Sequence, residues 1–144
     1  MKTPQTYQNH VRWFPLVHFV IFPILTINLV WQAAMLFYDV SWDRAMGVLV
    51  ALALVLLTLA ARIQALRAQN RIIRLEEQLR YRAVLNPEMA AKAADLPLSQ
   101  IIPLRFASDG ELGSIAQRVA DGELKTSKEI KLAIKDWRGD HHRV

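Results

Sequence analysis

Cysteine is absent from all 144 residues, which excludes disulfides, thiolate metal sites and cysteine nucleophiles. Charge is absent from Ala45 to Ala61, and acid is nearly absent upstream, where Asp39 is the one carboxylate before Asp43. Serine and threonine are thinly spread. Neither a Gly-rich phosphate loop, nor paired carboxylates, nor a nucleophile beside a base can be picked out. An enzyme has little to work with in such a chain, so no catalytic residue and no cofactor is expected. Alternating strand patterns and internal repeats are missing as well.

What is present is apolar and clustered. Hydrophobic residues make up 53% of the chain, but they crowd into its first half, while most of the charge follows Ala61. The Leu and Val residues of 45–61 favour insertion into a bilayer by about 4 kcal/mol before the alanines are counted. A second apolar run, Leu16 to Phe37, lies just upstream, across the polar link Tyr38-Asp39-Val40-Ser41-Trp42-Asp43-Arg44. Two such runs predict an all-α membrane protein built on a two-helix transmembrane hairpin.

The cations set the expected orientation. Arg62, Arg67, Arg71, Arg74, Arg80 and Arg82 follow the second run, opposed only by Glu76 and Glu77, and Lys2 and Arg12 precede the first. The positive-inside rule then puts both termini in the cytoplasm and the short link outside. A formal charge of +5 suits a protein facing an anionic leaflet, with nucleic acid as the competing partner. A cleaved signal peptide fits the first run less well. The run is too long for a signal h-region, and Gln32-Ala33-Ala34-Met35 is the nearest imitation of a cleavage site.

Residues 1–14 read as a polar cytoplasmic segment ending in the aromatic anchor Trp13-Phe14. Residues 15–38 are the expected first transmembrane helix, begun by Pro15, where no donor is needed, and bent at Pro23, which lacks one. Residues 39–44 form the external loop, with Tyr38 and Trp42 in an aromatic belt and Ser41 as an N-cap. Residues 45–61 are the second transmembrane helix. It continues through 62–86 as a basic amphipathic stalk, because strong helix formers run unbroken from Arg62 to Leu85. One helix over Asp43–Leu85 is roughly 60 Å long.

Asn86-Pro87 ends the stalk, and residues 87–144 form a small cytoplasmic helical head. Within it the pattern predicts an Ala-rich turn of helix from Glu88 to Ala94 and a buried apolar stretch from Ser99 to Phe106. Helices are expected over Asp109–Ala120 and Ser127–Trp137. Ser108-Asp109-Gly110-Glu111 and Thr126-Ser127-Lys128-Glu129 both have capping-box spacing. Asp121-Gly122 separates the two helices, and Gly139 sits where a C-cap glycine belongs. Leu112, Ile115, Ala116 and Val119, then Ile130, Ala133, Ile134 and Trp137, are the expected inward faces.

Several stretches resemble a bacterial family of short two-span membrane proteins, a domain of unknown function. They are Gln5-Thr6-Tyr7-Gln8-Asn9-His10 with Pro15 and His18, then Arg71 to Arg80, Leu104-Arg105-Phe106-Ala107-Ser108-Asp109 and Ile134-Lys135-Asp136-Trp137-Arg138. The resemblance covers nearly the whole chain. It implies the two-span architecture and carries no activity and no catalytic residue.

Polar residues inside the first run are candidates for partner contact, because a bilayer penalises them unless they are paired. His18, Asn28 and Gln32 project within about 80° of one another on an ideal helix. Hydrogen bonds across the hairpin or between copies account for them most simply; a cofactor site or proton path is the sharper alternative. Haem ligation by His18 lacks a second axial ligand on the second helix, and His141-His142 cannot enclose a metal alone, so no metal is assigned.

Ala65, Ala68, Ile72, Leu75 and Leu79 form a short heptad stripe suited to self-association. Arg12, Trp13, Trp42, Arg62 and Arg67 are expected at lipid headgroups. The outer arginines read as a solvated face, with Glu76 and Arg80 as an i,i+4 pair. Lys125, Lys128, Lys131, Lys135 and Arg138 invite a helix-turn-helix reading, but Glu129, Asp136 and Asp140 dilute the charge, and nucleic acid is not the expected partner.

These features predict a scaffold or accessory subunit of the bacterial inner membrane that presents its head to a partner. Anionic lipid surrounds it, and its assembly is a homo-oligomer or a larger membrane complex. A subunit of a transport or redox complex is the first alternative, and a membrane-tethered nucleic-acid-binding regulator the second.

Overall fold

The computed structural model describes residues 6–8 and 13–140. A π-helical turn, Leu16–Ile21, runs into α1 (Phe22–Tyr38). Five helices follow: α2 (Trp42–Val84), α3 (Pro87–Ala94), α4 (Leu98–Leu104), α5 (Asp109–Ala120) and α6 (Ser127–Ala133). Among the described residues there is no strand, only an isolated antiparallel bridge between Ala107 and Trp137. The described residues divide into two compact units, one of residues 13–66 and one of residues 67–140 together with 6–8.

In the first unit, where a bend is expected at Pro23, the structure shows a π-helical turn just before it. A proline ring presses on the carbonyl four residues back, here that of Phe19. The chain widens before it, and the Phe22 N–H bonds five residues back to the Val17 carbonyl. Pro23 then occupies the first turn of α1, where its missing donor costs nothing. Ser41 caps the next helix as its position suggested, its hydroxyl accepting from the Arg44 N–H at 3.4 Å.

Leu16–Tyr38 and α2 are long and apolar enough to cross a membrane, with mean hydropathy 1.9 and 2.4 over their most apolar windows. No residue of α1 is buried. Phe19, Val30, Trp31, Phe37, Leu49 and Leu57 all stand exposed, whereas the core helix of a soluble protein would cover such side chains.

The second unit has a true core. Tyr81 from α2, Met89, Ala90 and Ala93 from α3, and Leu104 from α4 pack with Leu112, Ile115, Ala116 and Val119 of α5 and with Ile130 of α6. The four α5 residues are the ones its amphipathic spacing pointed to. Of the stretch Ser99–Phe106, expected to be buried, Ile101 and Pro103 to Phe106 are buried while Ser99 is exposed, and most of it is helix, α4, with Ile101, Pro103 and Leu104 inward.

The α5–α6 connection closes as a Schellman turn. Gly122 has φ +78°, its N–H bonds to the Val119 carbonyl, and the Glu123 N–H reaches the Arg118 carbonyl.

The last helix is shorter than its pattern suggests: α6 stops at Ala133, and Ile134 is extended. The next residues pair with the segment before α5, the Arg138 N–H bonding to the Phe106 carbonyl at 2.8 Å and the Ser108 N–H to the Asp136 carbonyl at 3.0 Å. Gly139 therefore caps no helix.

One of the two capping boxes is also different. Thr126 and Glu129 form theirs in full. Ser108 makes no side-chain cap. Glu111, its expected partner, instead accepts from the Lys135 and Asp136 N–H groups, both at 3.0 Å. That carboxylate satisfies the donors freed where α6 ends, which is why the helix can stop there.

Candidate interaction sites

Two of α2's faces matter in the second unit. Ile73, Glu77 and Tyr81 are buried, only 4% of Glu77 and none of Tyr81 being exposed. The expected stripe residues Ala65, Ala68, Ile72, Leu75 and Leu79 are exposed. The two sets lie roughly 170° apart on an ideal helix. The heptad stripe thus takes no part in the core of its own chain.

Charged groups tie α2 to the elements that follow it. Arg80 donates to Asp109 at 2.7 Å, to the Ala107 carbonyl at 2.7 Å and to Glu77 at 3.2 Å. Glu77 also faces Arg138 at 3.6 Å, and Arg105 pairs with Asp140 at 3.3 Å. Asp109 belongs to the first turn of α5, where a carboxylate is additionally favoured by the helix dipole. The expected Glu76–Arg80 pair is replaced by Glu77–Arg80, because position 77 faces the core and position 76 does not. Arg80 itself is buried among these partners and is no part of a solvated face.

These groups border a cleft of about 420 Å³, lined by Ile73, Glu77, Leu79, Arg105, Arg138 and Asp140. Burial pushes the Glu77 carboxyl above its ordinary value, against the opposing pull of Arg80, Arg138 and Arg105. Burial, reinforced by the Glu77 charge, pushes the Tyr81 hydroxyl well up too. That hydroxyl has no hydrogen-bond partner among the described residues. Arg105 lies 4.6 Å above the Phe106 ring, which stacks at 5.1 Å on Trp137. Each cation here stands by an anion or an aromatic face, so the arrangement joins segments together. No group of three metal-ligating side chains occurs among the described residues.

In the first unit, the polar residues of the first apolar helix have separate surroundings. His18 bonds through Nδ1 to the Phe14 carbonyl at 2.9 Å and meets Trp13 edge-on at 5.0 Å. With Val17, Phe22, Thr58, Leu59 and Arg62 it lines a pocket of about 270 Å³. Gln32 lies instead against Gly47, where an added Cβ would come within 3.1 Å of its Oε1. Asn28 is half-buried. His18 and Gln32 both turn toward α2, but fourteen residues of helix, roughly 21 Å, lie between them, so they share no site.

Of the expected headgroup residues, Trp13, Trp42 and Arg67 are exposed and Arg62 is half-buried. Arg12, and the pair His141-His142, lie outside the described residues.

Sequence reasoning missed Glu77, Arg80 and Tyr81 as interior groups. Their signal was present in the spacing of Ile73, Glu77 and Tyr81, one helical face on which a tyrosine interrupts a charged run.

These features define a class: an all-helical protein in which two helices are long and apolar enough to span a bilayer and a compact helical unit follows. The model of the family of unknown function DUF6526 matches residues 1–144, and the chain belongs to that family. No curated protein and no solved structure matches the chain.

Proposed function

We propose that this is a membrane-anchored interaction protein, a scaffold or accessory subunit without catalytic activity. Its two apolar helices cross the bacterial inner membrane as a hairpin, and both termini lie in the cytoplasm. The observation that carries this reading is the outward exposure of the large apolar side chains of α1 and the first half of α2. In water such a surface costs about 25 cal/mol per Å² left uncovered, and lipid removes that cost.

The arginines after the second span support the orientation through the positive-inside rule. Arg62 and Arg67 sit where anionic headgroups attract them, each by about 1 kcal/mol. The contact of Gln32 with Gly47 supports a packing role for the polar residues of α1. The paired charges around Glu77 support a unit built to be presented to other proteins rather than to transform a substrate.

Topology tests the reading directly. Tags at both termini should be shielded from protease in intact cells and cut once the inner membrane is opened, and the chain should resist carbonate extraction. Cleavage of either tag in intact cells, or release by carbonate, refutes it. Affinity capture from native membranes then identifies the partner.

A further inference from the structure

We infer that α2 pairs with the α2 of a second copy of this chain, in parallel, along Ala65, Ala68, Ile72, Leu75 and Leu79. Ile72, Leu75 and Leu79 are 58%, 64% and 62% exposed, although the opposite face of the same turns is sealed by the chain's own core. A helix needs one apolar face to join its own fold. This one carries two.

The spacing of the free face specifies its occupant. Residues 65, 72 and 79 take the a positions of a heptad and 68 and 75 the d positions, the pattern that inserts knobs into the holes of a like helix. The flanking positions then assign the register. Arg71 falls at g and Glu76 at e, five residues on, which is the separation at which g of one helix meets e of its partner in a parallel, in-register pair. Two copies so arranged form Arg71–Glu76 pairs on both sides of the seam.

Both residues are exposed, and neither has an ion-pair partner among the described residues. The other flanking pairs, Gln64 with Gln69 and Gln78 with Ala83, bring no like charges together. An antiparallel pair sets g against g and e against e, which separates Arg71 from Glu76. The charges therefore favour the parallel form, which is also the one that two copies inserted the same way in one bilayer must adopt.

The absence of native cysteine makes the test clean. In the purified full chain, Ile72→Cys, Leu75→Cys and Leu79→Cys should each oxidise to a disulfide-linked dimer, at least fivefold more than Arg67→Cys or Arg74→Cys on other faces. Adding Glu76→Arg to Leu75→Cys should reduce the dimer severalfold, and adding Arg71→Glu as well should restore it. Monomer at all three seam positions, or equal linkage at the control positions, overturns the pairing. Failure of Arg71→Glu to rescue Glu76→Arg overturns the parallel register. The readout is independent of which membrane face the chain meets, so it fails or succeeds separately from the topology.

Discussion

Arg80 meets Asp109 at 2.7 Å across twenty-nine residues of chain, joining the end of α2 to the start of α5. The same guanidinium holds the Ala107 carbonyl and Glu77. Replacing it by Arg80→Leu leaves a buried carboxylate and a buried carbonyl short of donors. The expected cost is about 3–5 kcal/mol, seen as a lower midpoint in thermal unfolding of the detergent-solubilised chain. Glu77→Gln should cost no more than about 1 kcal/mol, because Arg80 keeps Asp109 and its carbonyl partners and no charge is stranded.

The Glu77 carboxyl also sets a pH dependence. Its value in the folded chain lies above the ordinary 4.5, with burial the first cause. Between 4.5 and that raised value the folded chain holds more protons than the unfolded one, so stability falls as pH rises through this window. Glu88 and Glu129, held low by Lys92 and by the Thr126 and Lys125 backbone N–H groups, act below 4.5 and in the opposite sense. Unfolding midpoints measured from about pH 4 to 7 should decline above 4.5 in the wild-type chain, and the decline should vanish in Glu77→Gln.

Tyr81 separates packing from hydrogen bonding. Its ring is fully buried and its hydroxyl has no partner among the described residues. Tyr81→Phe should leave stability unchanged or raise it by up to about 1 kcal/mol, since it removes a desolvated group that bonds to nothing. Tyr81→Ala should cost about 3–5 kcal/mol through the cavity it opens. A large loss in the Phe variant would show that the hydroxyl has a partner.

The two capping sites make opposite predictions from similar sequences. Thr126→Ala removes a formed cap and should cost about 1 kcal/mol, whereas Ser108→Ala should be nearly neutral. Glu111→Ala should exceed Ser108→Ala clearly, because it strips the acceptor from two backbone donors.

Gly122 stands at φ +78°, where a side chain crowds the backbone. Gly122→Ala should cost about 1–2 kcal/mol. Gly110→Ala, in the first turn of α5 with open space around it, should be neutral or slightly stabilising. Parallel denaturation curves of the two variants decide the point.

Local patterns were legible wherever one segment's own spacing decides the outcome. The two apolar helices, the continuity of α2, the helix over Asp109–Ala120 with its buried face, the Thr126 capping box and the turn at Gly122 all follow from nearest neighbours along the chain. Long-range competition decided the rest. Residues 134–138 have helical spacing, yet they gain more by pairing with Phe106–Ser108 and surrendering their N–H groups to Glu111. The spacing of Ile73, Glu77 and Tyr81 marks a candidate inner face of α2, but the partners that hold it there, Asp109 and Arg138, arrive from distant parts of the chain. The amino-acid order by itself determined which segments are helical and which surfaces are greasy, because hydrophobic periodicity, caps and charge gaps are local quantities. Only the tertiary structure decided which carboxylate is buried, which arginine holds it and which apolar stripe is left for another molecule, because burial depends on residues brought together from distant parts of the chain.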